Sequence, residues 1–377
     1  MPLKSKNKKK LLMILNVDYF LVSHRLDVAI EAQRAGYEVH IAAKQTSSSK
    51  IIKSKGLFMH DLKIDRASTN LINLIKTYFD ILRILRKTNP DIVHLISIKP
   101  ILIGGLALHF FKGNPLIVTS VSGLGYIFTN RGIISFFRRT IISLIYRISL
   151  SHDNIKLIFQ NKNDLNFISK IAKIRKKNSF LINGSGVDLK KFNFSNLPKN
   201  ESIILFPARL VKNKGLREFI YAAEILRGSG RFVISGMIDN ESPDKISNKF
   251  LQSFIDNGTI EYWGYCKNMP EILKQSTLVV LPSYREGLPK VLCEASAIGR
   301  PIITTDVPGC RDSIIENKTG LLVPARNSKI LAEEIKNLLS DRNKMEYFGY
   351  NGRILAKEKF NLKAIVAEHL KIYNNTK

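Results

Sequence analysis

The sequence predicts an α/β protein built from two doubly wound parallel-sheet domains in tandem, facing a central cleft, and three observations predict it. Short β-branched runs alternate with helix-length amphipathic segments along the chain, the pattern of βα units rather than of short antiparallel strands. The alternation comes in two series, separated by a polar stretch at 186–200 of linker composition. With 377 residues, 45% of them hydrophobic, the chain can fill two cores of ordinary size.

In the first series, 11–15 reads as a strand, 25–35 as a helix stopped by Gly36, and 38–42 as the next strand. Further strands are expected at 56–58, at 92–95 after Pro90-Asp91, and at 116–119. Between them, 71–87 carries apolar residues at helical spacing, with lysines and arginines gathered at its end. The second series has strands at 203–206, 231–236, 260–264, 277–281 and 301–305. The expected organisation is therefore an N-terminal Rossmann-like domain (1–185), a linker (186–200), a C-terminal Rossmann-like domain (201–358) and a terminal helix (359–377) that packs back on the first. Carboxyl ends of parallel strands are where such folds bind ligands.

Composition narrows the function classes. Cys266, Cys293 and Cys310 show no paired ligand spacing and are too few for a disulfide framework, which points to a reduced, cytosolic setting. The lysine-rich start leads into an apolar run that ends at Asn16 and Asp18 without a small-residue cleavage pattern, so it reads as a solvated tail before a buried strand. No apolar stretch is long enough to span a bilayer. The formal charge is +28, unevenly spread. Residues 1–180 carry 30 Lys and Arg against 10 Asp and Glu, a net +20, whereas 181–377 carry 29 against 21, a net +8. No acid occurs between Asp91 and Asp153, where Lys99, Lys112, Arg131, Arg138, Arg139 and Arg147 stand. This favours a polyanionic partner for the first half: anionic lipid headgroups, a lipid diphosphate or nucleic acid. The segment 133–150 mixes bulky apolar residues with arginines, and two readings stay open for it, an amphipathic element at a membrane interface or a crossover helix with its arginines in water.

Two motifs carry chemistry. The first is Tyr284-Arg285-Glu286-Gly287-Leu288-Pro289, leading through Lys290 and Glu294 to Gly299-Arg300-Pro301. It reads as strand, loop, helix, strand, with Pro289 in the first helical turn and Gly299 with Pro301 as the stop. A helix dipole alone explains an acid at the position of Glu286. Glu294 lies past the first turn, and its pairing with Lys290 runs in the less favourable order. The second motif is Arg209 through Lys214-Gly215, directly after the first strand of the second series. Cations there suit a departing nucleoside diphosphate, since Arg forks onto two phosphate oxygens and Lys supplies a point charge.

Together these segments resemble the donor site of retaining glycosyltransferases of family 4, which have the GT-B fold. The resemblance is strong over about 200–325 and looser before it. It implies a transferase in which Arg209 and Lys214 bind the donor diphosphate, Glu286 with Gly287, Leu288 and Pro289 meets the donor sugar or phosphates, and Glu294 holds the ribose hydroxyls. It implies no cofactor and no metal, the nucleotide sugar being a substrate, and no Asp-x-Asp cluster is present. Ser23-His24-Arg25 and the run from His94 to Pro100 are similar to a subgroup that extends polyprenyl-diphosphate-linked glycans of the bacterial surface, several with UDP-N-acetylhexosamines. That subgroup implies a polyprenyl-diphosphate-linked acceptor, an anionic membrane surface as partner, no nucleic acid, and a cytoplasmic enzyme attached peripherally to the inner face of the cell membrane. Asp18, His24, His94, Lys99 and Ser122 are the acceptor or cleft candidates.

Two departures bear on mechanism. The segment after the first strand lacks the glycine-rich turn common in the family, and the loop following 116–119 has no histidine, so that catalytic role does not transfer. Gly184-Ser185-Gly186 matches a dinucleotide fingerprint weakly and reads as hinge and cleft wall. The competing functions are a basic nucleic-acid-binding protein, for which no reading module is recognisable, and another GT-B enzyme such as a nucleotide-sugar epimerase.

Overall fold

Strand β1 (Lys10–Val17) is almost continuously apolar because a parallel sheet is covered on both faces. The computed structural model describes residues 8–65, 70–123, 133–199, 201–239, 242 and 244–374, the side chains of 133–139 excepted. The chain divides into one unit of Met1–Ile182 with Ile365–Lys377, and a second of Asn183–Ala364.

In the first unit β1 is joined by β2 (Glu38–Lys44), β3 (Phe58–Asp61), β4 (Ile92–Ile96), β5 (Leu116–Val121), β6 (Ile155–Phe159) and β7 (Ser179–Leu181). The order is β3-β2-β1-β4-β5-β6-β7, all parallel, so the order of strand addition reverses between β1 and β4, the switch point of this sheet. Helices Leu71–Thr88, Ile98–His109, Ile133–Ser149 and Lys162–Ala172 supply Leu85, Leu108, Tyr146 and Ile168 to one core with Leu12, Val93 and Leu95. The terminal helix Leu362–Asn374 ends in this unit, where Tyr37 Oη donates to Asn374 Oδ1 at 2.8 Å. Helix Ile133–Ser149 packs on the core and also turns apolar residues outward. Tyr146 is buried in the core, yet Ile141, Leu144 and Ile148 are exposed beside Arg147. Among the described residues no helix is long and apolar enough to cross a membrane.

The second unit repeats the pattern with β8 (Ile203–Pro207), β9 (Arg231–Ser235), β10 (Glu261–Gly264), β11 (Leu278–Leu281), β12 (Ile302–Thr305) and β13 (Gly320–Val323). Their order is β10-β9-β8-β11-β12-β13, all parallel, with the switch point between β8 and β11.

The described part of 186–200, expected as a linker, is built into this second unit. Val187, Phe192 and Leu197 are buried in its core. Three arginines bind the intervening carbonyls: Arg353 donates to Phe192 at 2.7 Å and Leu189 at 3.1 Å, Arg342 to Leu197 at 3.3 Å, and Arg300 to Asn196 at 2.9 Å. Backbone groups outside any ladder need partners, and a guanidinium fork satisfies several at once. The polar composition that suggested a linker belongs to a strapped segment.

Candidate active site

Because β8 and β11 are neighbours, the loops leaving their carboxyl ends meet. Lys214 ends a single 3₁₀ turn (Lys212–Lys214) after β8, and Glu286 lies in the loop after β11. Their side chains form an ion pair between Nζ and Oε1, both groups largely buried. An ammonium has three N–H donors, so one carboxylate oxygen leaves capacity for phosphate. Glu286 is fixed from its other side as well, its backbone N–H donating to the Pro308 carbonyl at 3.1 Å. The turn after β12 lies so close that a Cβ on Gly309 would sit 2.4 Å from the Glu286 carbonyl oxygen. Only glycine permits that approach, and it does so at φ +84.

Arg209 also follows β8, but its guanidinium pairs with Asp239 in the loop after β9 and is more exposed than Lys214. Leu288 has its side chain in the core, so its backbone is what it offers a ligand. Pro289 stands one residue earlier than expected, at the N-cap of helix Lys290–Ile298, and Gly299 is its C-cap. Gly287 lies against the Gly309 turn. On the helix, Glu294 is 8% exposed and 3.6 Å from the Lys290 ammonium. Burial pushes its carboxyl above the ordinary carboxylate range, and Lys290 and then Lys191 oppose the rise. Cys310, beside Glu286, is held as a thiol: burial foremost, and then the Glu286 charge, push it up to about 12. It is no nucleophile near neutral pH.

The raised Glu294 gives a pH prediction. Native Glu294 holds its proton more tightly than the unfolded chain, so its contribution to stability falls as pH rises from the ordinary 4.5 to the raised value, and then stays constant. Thermal midpoints of the nucleotide-free protein between about pH 4 and pH 7 should show this decline, and Glu294→Gln should flatten it. A parallel decline in both proteins would assign it to another group.

The first-unit candidates are less uniform. Asp18 is fully buried and accepts from the Thr46 N–H and hydroxyl, each at 2.6 Å, so it ties β1 to the loop after β2 rather than awaiting a ligand. His94 is also a correction. Strand alternation sends Val93 and Leu95 into one core and His94 to the other face. There it is fully buried, 2.6 Å from Tyr373 Oη and 2.7 Å from Ser120 Oγ. Burial foremost, then His369 and Arg25, hold it well below the usual imidazole range. His24 is half-buried, stacked on Phe20 at 4.3 Å and 2.6 Å from Ser23 Oγ. Lys99 donates to the Asp65 carbonyl, and burial lowers its pKa. The buried Ser122 hydroxyl has no hydrogen-bond partner among the described residues. The rest of its loop, from 124, lies outside them.

Asp239, Gly309 and Lys191 escaped sequence reasoning. The Val307-Pro308-Gly309 turn signal after β12 was the one readable trace of them. Ser97 also escaped it. This non-glycine at φ +75 follows β4 at the first unit's switch point, and its hydroxyl accepts from Asn16 Nδ2 at 3.0 Å. Among the described residues, no group of three or more His, Cys, Asp or Glu is placed to hold a metal ion.

Comparison with known proteins follows the same division. Residues 187–355 match the family described as glycosyl transferases group 1, and residues 10–162 match glycosyl transferase 4-like. The N,N'-diacetylbacillosaminyl-diphospho-undecaprenol alpha-1,3-N-acetylgalactosaminyltransferase of Campylobacter jejuni is 29% identical over 317 residues, covering 81% of this chain and 82% of that protein. The UDP-Gal:alpha-D-GlcNAc-diphosphoundecaprenol alpha-1,3-galactosyltransferase of Escherichia coli is 25% identical over 268 residues, 66% of each chain. Among solved structures, sucrose-phosphate synthase from Thermosynechococcus elongatus superposes with a TM-score of 0.82 at 20% identity, over 97% of this chain and 98% of that one. With both sheets accounted for and both halves matched, the chain belongs to the group 1, family 4-like glycosyltransferases of GT-B fold.

Proposed function

We propose that this enzyme is a retaining, metal-independent glycosyltransferase. It moves an N-acetylhexosamine from a UDP donor onto a polyprenyl-diphosphate-linked saccharide in bacterial surface-glycan synthesis, while attached peripherally to the inner face of the cell membrane. The Lys214–Glu286 pair at the β8–β11 switch point carries this reading. It sets a cation for the leaving diphosphate beside a carboxylate for the sugar, on loops fixed by adjacent strands. The two relatives' names support the acceptor class, and one names a UDP donor. Both also specify alpha products, and D-hexoses are commonly α-linked in their UDP donors, which favours retention.

In the reaction, the bond between the anomeric carbon and the β-phosphate oxygen breaks, and its electrons leave with UDP. Lys214 and Arg209 compensate the charge that develops there. The acceptor hydroxyl forms its bond from the same face and passes its proton to a departing phosphate oxygen. Glu286 orients the sugar, and Glu294, holding ribose hydroxyls, acts on donor affinity.

Radiolabelled UDP-N-acetylhexosamine incubated with enzyme and bacterial lipid extract tests each part. Label should enter the solvent-extractable lipid, the new linkage should be α, and chelation should leave the rate unchanged. A β linkage would remove retention, metal-dependent recovery after chelation would remove metal independence, and label confined to water-soluble products would remove the lipid acceptor.

A further inference from the structure

On the carboxyl edge of the first unit's sheet, at the β2–β3 side away from the switch point, lies a cavity of about 520 Å³. That is within the rough 300–1,000 Å³ range of small-molecule sites. Lys44 reaches it from the end of β2, Asp61 from the end of β3, Lys63 and Asp65 from the following loop, and Asn73 and Lys76 from helix Leu71–Thr88. The Lys99 ammonium bonds the Asp65 carbonyl beside it. Three lysines against two aspartates line the cavity, with the Lys99 ammonium beside it, so it is net positive, as an anion requires.

The helix that supplies Asn73 and Lys76 has a second unusual property. Its inner face buries Thr77, Ile81, Ile84 and Leu85, as a surface helix should. Its first turns also leave Leu71, Ile72, Ile75 and Phe79 exposed, at 69%, 61%, 47% and 62%. The steps from 71 to 75 to 79 are helical i, i+4 spacings, so these residues form a stripe down one side. A contiguous exposed apolar stripe marks a surface that meets something apolar. Charge narrows what that is. The one acid on the helix, Asp80, is paired with Arg83 at 2.9 Å, while Lys76, Arg83, Arg86 and Lys87 are exposed. A cationic cavity continuing into an apolar stripe on a single helix complements an amphiphile with an anionic head and a hydrocarbon tail.

We infer that this cavity and stripe seat the acceptor lipid, its diphosphate among Lys44, Lys63 and Lys76 and its first isoprene units along Ile72, Ile75 and Phe79. The inference rests on the acceptor class proposed above and adds where that acceptor is held. Inorganic pyrophosphate shares the head chemistry, so head and tail have to be tested separately.

Titration calorimetry with farnesyl diphosphate, inorganic pyrophosphate and farnesol does this, with saturating UDP present to block the donor site. Farnesyl diphosphate should bind more tightly than either fragment. Lys63→Ala/Lys76→Ala should weaken both diphosphates about tenfold or more, whereas Ile72→Ser/Ile75→Ser should weaken farnesyl diphosphate alone. All four positions except Lys63 lie on one exposed helix surface, and UDP should stabilise every variant thermally as it does the parent, which shows that each folds. Farnesyl diphosphate affinity unchanged in both variants overturns the assignment. Equal binding of pyrophosphate and farnesyl diphosphate, unaffected by the isoleucine changes, also overturns it and leaves a phosphate site. Failure of UDP to stabilise even the parent would instead count against the donor reading, and titration without UDP would still judge the lipid seat.

Discussion

Replacing Lys214 by alanine should lower kcat for sugar transfer by about 10²- to 10³-fold, the usual cost of removing one preorganised charge partner from a developing anion. The expected size follows from the surroundings of the ammonium. It is held by Glu286 on a loop adjacent to the β8–β11 switch point, and both side chains are mostly withdrawn from water, at 18% and 12% exposure. Little solvent is available there to take over its role. Removing it also leaves the Glu286 carboxylate uncompensated at the proposed seat of the donor phosphates, a repulsion that acts in the same direction. Lys214→Arg should recover only part of the rate, because a planar fork does not reproduce a compact ammonium. Glu294→Gln offers the contrast, with donor KM raised and kcat little changed, since its proposed contact with ribose is the same in ground and transition states. Steady-state kinetics at saturating acceptor decide the matter. A Lys214→Ala kcat within about threefold of the parent would remove Lys214 from the chemistry, and equal kinetic damage from Glu286→Gln and Glu294→Gln would show their roles wrongly divided.

That Lys214 and Glu286 both follow strands of one domain was legible in the sequence; that their side chains pair comes from the fold. Each residue follows a readable strand, and the doubly wound order makes those strands neighbours although 72 positions separate the residues. Local pattern reached the two strand exits, and the strand order of the fold supplied their adjacency. His94 shows where such reasoning stops. Alternation along β4 dictates that it turn away from Val93 and Leu95, but its burial depends on Tyr373, 279 positions along the chain. No local signal carries such a contact, and the residue passed for a ligand candidate. Asp18 misled for a similar reason, since its two bonds come from Thr46, across to the loop after β2. The segment 186–200 misled in the opposite sense. Its side chains look like those of a linker, and what anchors it is its own carbonyl groups, whose partners Arg300, Arg342 and Arg353 lie more than a hundred residues away. Composition reports side chains and is silent about backbone satisfaction. Arg209 falls between these cases: the strand exit was readable, the pairing with Asp239 from a neighbouring strand exit was not.

Gly215→Ala should be strongly destabilising, costing on the order of 3 kcal/mol. Two independent terms lead there. Gly215 caps helix Leu216–Ile225 at φ +74, a conformation that costs an L-residue roughly 1–2 kcal/mol. In addition its Cβ would lie 2.0 Å from the Pro282 carbonyl oxygen and 2.6 Å from its carbon, in the backbone just after β11. No rotamer change relieves a collision with main chain, so the loops after β8 and β11 must part, and overpacking of this kind costs about 1–3 kcal/mol. Those loops carry Lys214 and Glu286, so whatever relief the fold finds separates the pair, and kcat should fall even in molecules that remain folded. Gly228 supplies the control. It has a similar φ of +82, but nothing lies within 4 Å of its Cβ position, so Gly228→Ala should show only the conformational cost and keep its kcat. Urea midpoints and transfer rates for the two variants separate the terms. If Gly215→Ala matches Gly228→Ala in both, the close approach of the β8 and β11 loops is not what holds Lys214 against Glu286.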